Sequence, residues 1–404
     1  MPVHAILHVH TEASSGRSSD MDEMISGAIR AVLGDSTGCT WRECFTPVSR
    51  LVALLDDPAA RPRVGIVAVA DHVKAAHHRL PDDALRSAAR EPRLALCAEV
   101  WCEERDVDGV FRKAPEVLVY GGSERVDGPF GPHYGLSQEL LDELFETCHA
   151  AGRRNPQTSQ VLEFCARRGL ACALAHPFDG HDLSLEATFD LISRGRFVET
   201  VNGGFPAASA RVLEDLIAFH NRVVAGGRLG AVEALRYPAA RRLAERIADE
   251  RRPLLHPWGG SDAHSHAFAR VTMRFLSDVP SPAAGDLFRA MLERPVGSLL
   301  LDGTFRVCGR PGSALSVMDD VVRIVLRNVW FNLKHFGNPL AFADVMRRTR
   351  AIVAGELGRR ARRQAALHRD VERDFDFARL LPAMRPGTRA KITRTSVLPL
   401  VGVE

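Results

Sequence analysis

The chain has no Cys-x-x-Cys pair, no internal repeat and no run approaching the ~18 consecutive apolar residues of a transmembrane helix. It also has no basic-then-apolar leader: Met1-Pro2-Val3 runs straight into a strand-like segment, so no signal peptide is expected. The missing Cys-x-x-Cys removes the commonest redox and zinc-ribbon spacings. The eight cysteines stand at 39, 44, 97, 102, 148, 165, 172 and 308. Several lie in apolar runs, which predicts buried reduced thiols and a cytoplasmic protein. Net charge is small too. At +3 it argues for no particular partner.

What is present is ordinary for a globular protein: 404 residues, 46% hydrophobic and 25% charged. That length suits one large domain of roughly 250–300 residues with something added. The charge is unevenly spread. Residues 346–394 hold 14 Lys or Arg against 5 Asp or Glu, a net of +9 within a chain of +3, so the rest carries −6.

Short apolar runs read as strands at 4–10, 64–72, 93–101, 116–122, 170–177, 197–204, 254–264 and 298–303. Helical periodicity fills the intervals near 20–33, 43–56, 136–152, 157–168, 208–220, 233–250 and 283–293. Continuous apolar strands alternating with helices predict a parallel sheet covered by helices, and seven or eight such units favour a barrel. The segments 11–19, 73–90, 102–115, 123–135 and 178–185 read as loops. Beyond Pro311-Gly312 the pattern turns helical from about 315 to 367, apolar over 321–336 and basic over 347–363.

The polar residues at the strand ends carry the chemistry. The first run, HAILHVH, delivers His8 and His10, which alternation places on one side. The following runs close on Asp71-His72, on Glu99, on His176, on Glu199 and Asn202, and on Asp262-Ala263-His264. A single histidine at a strand end is ordinarily just hydrogen-bonded. Successive strands that all end this way are another matter, because parallel barrel strands bring their C-terminal ends to one face. His8, His10, His72, Glu99, His176, Asp262 and His264 then converge. Imidazoles mixed with carboxylates suit Mn, Fe or Zn better than Ca or Mg. Seven such groups exceed the needs of one ion, so two or three divalent transition-metal ions are expected.

The strings LHVHTEAS, VAVADH, CAEV, LAHPFDG, VETVNGG and GGSDAHS, in that order over residues 7–265, resemble the PHP (polymerase and histidinol phosphatase) superfamily. The resemblance implies an α/β fold, a distorted (β/α)7 TIM-like barrel over residues 1–310 with a basic helical C-terminal extension over 311–404. It implies hydrolysis of phosphate esters by a metal-bound hydroxide, as in histidinol phosphatases, nucleotide phosphoesterases and the proofreading domains of some bacterial DNA polymerases. It assigns His8, His10, Glu99 and Asp262 to a first ion, Glu99 and His176 to a second, and His72 and His264 to a third. Asp262 or His264 would accept the proton.

Two positions depart from the family pattern. Ser15 and Gly16 stand where many members have Asp or His, and Asp20 is the candidate replacement. The run 116–122 lacks the histidine that completes the second site, and His133 is the candidate substitute. Arg17 is the leading candidate for gripping phosphate, ahead of Arg79 and Arg274, because a guanidinium matches phosphate oxygens bidentately. Asn202 is expected to position the loop below the site.

The leading expectation is an enzyme acting on a small-molecule phosphate ester. One alternative is a nuclease whose basic C-terminal region tracks nucleic-acid phosphates, although few aromatics are there to stack bases. Another is a non-catalytic scaffold whose C-terminal helices bind a protein partner.

Overall fold

The computed structural model describes residues 2–14, 20–33, 42, 44–57, 64–148, 155–178, 181–202, 207–260, 262, 271–276, 282–293, 301–307, 326–328, 330 and 339–385. Its strands are β1 (Pro2–Val9), β2 (Val64–Val73), β3 (Leu94–Arg105), β4 (Phe111–Gly121), β5 (Tyr134–Gly135), β6 (Ala171–Leu174), β7 (Phe197–Asn202), β8 (His256–Gly260), β9 (Val271–Leu276) and β10 (Leu301–Val307). Its helices are α1 (Asp20–Leu33), α2 (Val48–Leu55), α3 (Asp82–Arg90), α4 (Gln138–Cys148), α5 (Thr158–Arg168), α6 (Leu185–Arg194), α7 (Ala207–Val224), α8 (Ala231–Arg236), α9 (Pro238–Asp249), α10 (Ala284–Glu293), α11 (Pro339–Asp374) and α12 (Phe377–Ala383).

The sheet order is β10-β9-β1-β2-β3-β4-β6-β7-β8, with β5 beside β3. The seven strands from β1 round to β8 form a nearly closed barrel in a mixed α/β fold. A Cβ placed on Gly260 of β8 would stand 2.9 Å from the Cβ of His8 on β1, so the two ends of the curl nearly touch. β9 and β10 extend the sheet beyond β1, both running antiparallel to their neighbours.

The sheet is not all parallel, as the strand–helix alternation predicts. β4 runs antiparallel to both β3 and β6. The cause is local. Residues 106–110 are a tight hairpin: Asp106 N donates to Val110 O and Gly109 N to Asp106 O, both at 2.9 Å. Gly109 adopts φ +80°, which costs a glycine nothing. Asp108-Gly109 is a hairpin signal that the reading of 102–115 as a loop passed over.

Two helices are not among those the periodicity predicts: α3 lies within the 73–90 segment read as loop, and α6 follows the one at 178–185. α6 starts at Ser184, whose hydroxyl accepts a hydrogen bond from Ala187 N, and buries Phe189 and Ile192. α3 is short and buries only Ala84, Leu85 and Ala88. The single helix expected over 233–250 is two, because Pro238 has no N–H to continue α8 and instead opens α9.

Two apolar layers hold the barrel. Ala5, Leu7, Ile66, Ala68, Ala70, Ala95, Cys97, Leu118, Ala171, Ala173 and Ala175 fill its interior above the larger rings of Tyr120, Phe197 and Trp258. Trp258 Nε1 donates to Tyr120 Oη at 2.8 Å, so the indole N–H is satisfied deep in the core. α10 closes the base with Leu287, Phe288 and Met291. The opposite faces of the strands pack on the surrounding helices. That outer cluster also takes in Val371, Phe375, Phe377, Leu380 and Met384 from the end of α11 and from α12. Phe375 meets Phe189 edge-on at 4.5 Å.

All six described cysteines are free, five of them buried. No helix among the described residues is long and apolar enough to cross a membrane. The apolar stretch 321–336 lies mostly outside the described residues; within it Leu326 and Trp330 are exposed, and Asn328 is buried against the backbone of Arg42.

Candidate metal centre

The site forms where the inward faces of the strands leave the alanine layer. β1 shows how the two histidines get there. Ile6 pairs with Val67 and Val9 with Val69, so β1 spends three residues where β2 spends two. That is a bulge, and His8 within it has φ +63°. Leu7 and His8 both end up inside, and His10 follows after the outward Val9. Strict alternation from the outward Ile6 would have sent both histidines toward the helices. His176 (φ +21°) and Asp262 (φ +45°) also occupy left-handed backbone. Three positive-φ residues in one cluster mark a site where local strain is held by its surroundings.

The polar atoms converge. His8 Nε2 lies 3.2 Å from Glu99 Oε2 and 3.5 Å from Asp262 Oδ1. His10 Nε2 lies 3.4 Å from Glu99 Oε2 and 3.1 Å from Asp262 Oδ1. Ligand atoms on one tetrahedral ion, each ~2.0–2.2 Å from it, stand about 3.4 Å apart. Around the same carboxylate, His72 Nδ1 is 2.9 Å from Glu99 Oε2 and His176 Nε2 is 2.9 Å from Glu99 Oε1. Two groups can each hold an ion: His8, Glu99, His176 and Asp262, and His10, His72 and Glu99. Glu99 belongs to both.

Buried His8 Nε2 and Glu99 Oε2 make no hydrogen bond of normal geometry among the described residues, although they are 3.2 Å apart. At that separation both atoms can bind one cation placed between them. A buried carboxylate oxygen with no hydrogen bond is costly unless a cation sits there. The donor set therefore fits transition-metal ions. The protonation pattern agrees. Burial opposes charging His8, yet Glu99, Glu199 and Asp262 hold its pKa well above the ordinary value. Burial likewise opposes charging His176, but the hydrogen bond and charge of Glu99 push it up to about 10. Glu99 is held well below the carboxylate range despite its burial, chiefly by His8 and His72. Protons fill the positive role that the carboxylates demand.

A second layer orients these groups. Glu199 on β7 sits 3.0 Å from His8 Nδ1 and accepts the His176 N–H at 2.9 Å. Asp71 accepts from Thr11 N and Thr11 Oγ1, both at 2.6 Å, and from Ser14 Oγ at 2.9 Å. Ser14 Oγ in turn accepts from His72 N and lies 3.1 Å from His10 Nδ1. Carboxylates behind metal-binding histidines fix the ring tautomer.

Of the residues singled out by sequence, His8, His10, His72, Glu99, His176 and Asp262 meet here. His264 and Arg17 lie outside the described residues. Asp20 opens α1, but its side chain is likewise outside them, as is that of Asn202 at the end of β7. His133 does not reach the site. It is buried beside β5, which pairs with Ala95 and Leu96 at the start of β3, and Nε2 bonds Leu136 O at 3.0 Å. Arg274 pairs in register with His4, at the far end of β1 from the ligands. Arg79 is exposed on the segment after β2.

The residue that sequence reading missed is Glu116. Its Oε2 is 3.5 Å from His176 Nε2, on the side where a histidine was sought. Burial, then the charge of Glu99, raises its pKa to about 7. The rule that ligands close each apolar run could not find it. β4 is antiparallel, so its ligand-type residue precedes the apolar run.

No family model and no curated protein matches the chain. Among solved structures, an amidohydrolase from Chromobacterium violaceum with bound sulfate and no metal is similar at 12% identity and a TM-score of 0.33, covering 72% of this chain and 98% of that one. A proposed metal-dependent phosphoesterase from Bifidobacterium adolescentis is similar at 13% identity and a TM-score of 0.30, covering 73% and 98%. Likeness at that level leaves the reading of the site to its own geometry.

Proposed function

We propose that this chain is a metal-dependent hydrolase of phosphate esters, acting on a phosphomonoester of a small molecule or nucleotide. The observation that carries the reading is that His8 Nε2 and His10 Nε2 each lie 3.1–3.5 Å from both Glu99 and Asp262. In this reading those four hold one ion. Glu99, His176 and Glu116 hold a second, so a carboxylate replaces the absent histidine. His72 faces a third position, for which Asp20 and His264 are the remaining candidates. The choice of phosphate esters over neutral substrates follows the ordered motifs that resemble the PHP superfamily.

Bound ions supply Lewis acidity, which acidifies water and neutralises charge on a phosphoryl oxygen. The chain's own part is arrangement. Glu199 holds His8 in one tautomer and ties the His176 backbone to the same carboxylate. Asp71 locks the turn after β1, so His10 and His72 stack at 4.3 Å. Glu116 and Asp262 are the carboxylates placed to take or return a proton.

Arg347 and Arg348 pair with Asp344, Arg363 with Asp182, and Arg373 with Asp370 and Asp374. Except for Arg363, these arginines pair with carboxylates of α11 itself, which offsets part of the helix's positive charge and favours a small-molecule substrate over a polymer.

The test is elemental analysis of protein purified without chelator or added metal, followed by a phosphomonoester screen. Roughly two or three Mn, Fe or Zn ions per chain, and chelator-sensitive hydrolysis of p-nitrophenyl phosphate, are expected. Protein that carries no metal and cannot be reloaded with Mn, Fe or Zn overturns the reading.

A further inference from the structure

An anionic substrate needs cationic contacts that are not metals, and the arginines read from sequence do not furnish them among the described residues. The inward faces of β2 and β3 do. Along β2 the residues facing the barrel are Ile66, Ala68 and Ala70, then His72. Lys74 continues that alternation by one step, immediately past the end of β2. Along β3 they are Ala95 and Cys97, then Glu99. Trp101 continues that series between Val100 and Cys102, both of which belong to the outer core. His72 pairs with Glu99 in register, so Lys74 and Trp101 stand side by side one strand step, roughly 7 Å, beyond the ligands.

A third residue arrives from β4. Lys113 Nζ lies 4.1 Å from the centre of the Trp101 ring, and Lys74 Nζ lies 5.7 Å from it. One indole thus holds two ammonium groups, an arrangement that draws on the negative face of the ring. Lys113 Nζ is also 3.8 Å from Glu116 Oε1, and Glu116 Oε2 is 3.5 Å from His176 Nε2. The chain of contacts runs unbroken from the ligand cluster to the two lysines. Both lysines and Trp101 are half-buried, so neither charge is a freely solvated surface group.

We propose that Lys74 and Lys113, positioned by Trp101, form the phosphate-binding rim of the site. This rests on the phosphoester reading above and names the residues that recognise the anion. The ligand is a phosphate dianion, free or as a monoester. The lysines contact its oxygens, and Trp101 is a positioning residue that keeps two like charges on one side of the entrance. The ammonium of Lys113 swings between Glu116 and the incoming anion over a short distance, so it need not be desolvated anew at each encounter.

The experiment is calorimetric titration of metal-loaded protein with inorganic phosphate, alongside KM and kcat for p-nitrophenyl phosphate. The variants are Lys74→Gln, Lys113→Gln, Lys113→Arg, Trp101→Leu and Trp101→Phe, each with its metal content measured. Charge-assisted hydrogen bonds of this kind set the expected scale: each Lys→Gln change weakens phosphate binding about tenfold or more. KM rises in parallel, and metal content stays at the wild-type value. Lys113→Arg and Trp101→Phe, which keep the cation and the ring face, recover most of the binding, and Trp101→Leu does not.

Phosphate affinity and KM within twofold of wild type in both Lys→Gln variants overturn the proposal. So does loss of metal in Lys113→Gln with phosphate affinity unchanged after reloading, which would make the lysine a mere counter-ion for Glu116. Wild-type protein that carries metal yet neither binds phosphate nor cleaves the ester removes the phosphoester reading itself, a result separable from the other two.

Discussion

At the scale of single residues, the cluster is governed by groups that never need to touch substrate. Glu199 is buried, 3.0 Å from His8 Nδ1, and accepts the His176 N–H with its other oxygen. One carboxylate therefore orients two of the candidate ligands. Glu199→Gln keeps the shape and removes the charge. Metal affinity should fall about 10–100-fold, with the count at saturating metal intact. Competition against a chelating dye would check this; unchanged affinity would mean that Glu199 only fills space. Glu116 teaches a related lesson. It was invisible in the sequence because a glutamate ahead of an apolar run looks like a strand flank, and only the reversed direction of β4 turns it toward His176.

At the scale of elements, the barrel's seam decides whether the ligands meet. β8 approaches β1 through Gly260, where a Cβ would run into the Glu199 carboxylate and stand 2.9 Å from His8 Cβ. Gly260→Ala should cost about 1–3 kcal/mol of stability, as overpacking does in a dense core. It should also displace Glu199 from His8, so metal affinity falls with stability, read by urea denaturation and by dye competition on one sample. A variant that loses stability but keeps full metal affinity would separate the seam from the site. The elements themselves were largely legible. Runs such as VGIVAVADH and RLALCAEVW became β2 and β3 nearly as read, because long apolar strands bounded by polar residues have few other places to go. α3 was passed over although its buried residues share one face, because it is short and mostly polar and two of its three buried side chains are only alanines.

For the molecule as a whole, stability is tied to acid through histidines far from the site. His220 on α7 is buried, with Nε2 donating to Pro253 O at 2.7 Å, and burial lowers its pKa from 6.5 to about 4. His256 on β8 is lowered to about 4 by the same cause, with Arg196 adding to it. A folded pKa below the unfolded one means the unfolded chain binds more protons. Stability from these groups is therefore complete above pH 6.5 and is lost as pH falls toward 4. Between pH 7 and pH 5 each should account for roughly 2 kcal/mol. His220→Gln keeps a donor for Pro253 and removes the titration. The loss in stability from pH 7 to pH 5 should shrink by about 2 kcal/mol relative to wild type, measured by urea denaturation at both pH values. An equal loss in both proteins would show that His220 is not kept neutral by the fold.

The same scale shows where the sequence stops speaking. By itself it determined much of the strand and helix alternation, the lack of an apolar run long enough to span a membrane, and which apolar runs carry histidines and carboxylates. These follow from local pattern, since periodicity and residue type are written in the chain itself. Tertiary structure alone decided three things. The bulge at His8 turned the first pair of histidines inward against the alternation of their strand. The hairpin at Gly109 reversed β4 and brought in Glu116. The neighbouring strands set Lys74, Trp101 and Lys113 together above the ligands. Each depends on distances between residues far apart in the chain, and only closing the sheet upon itself sets those distances.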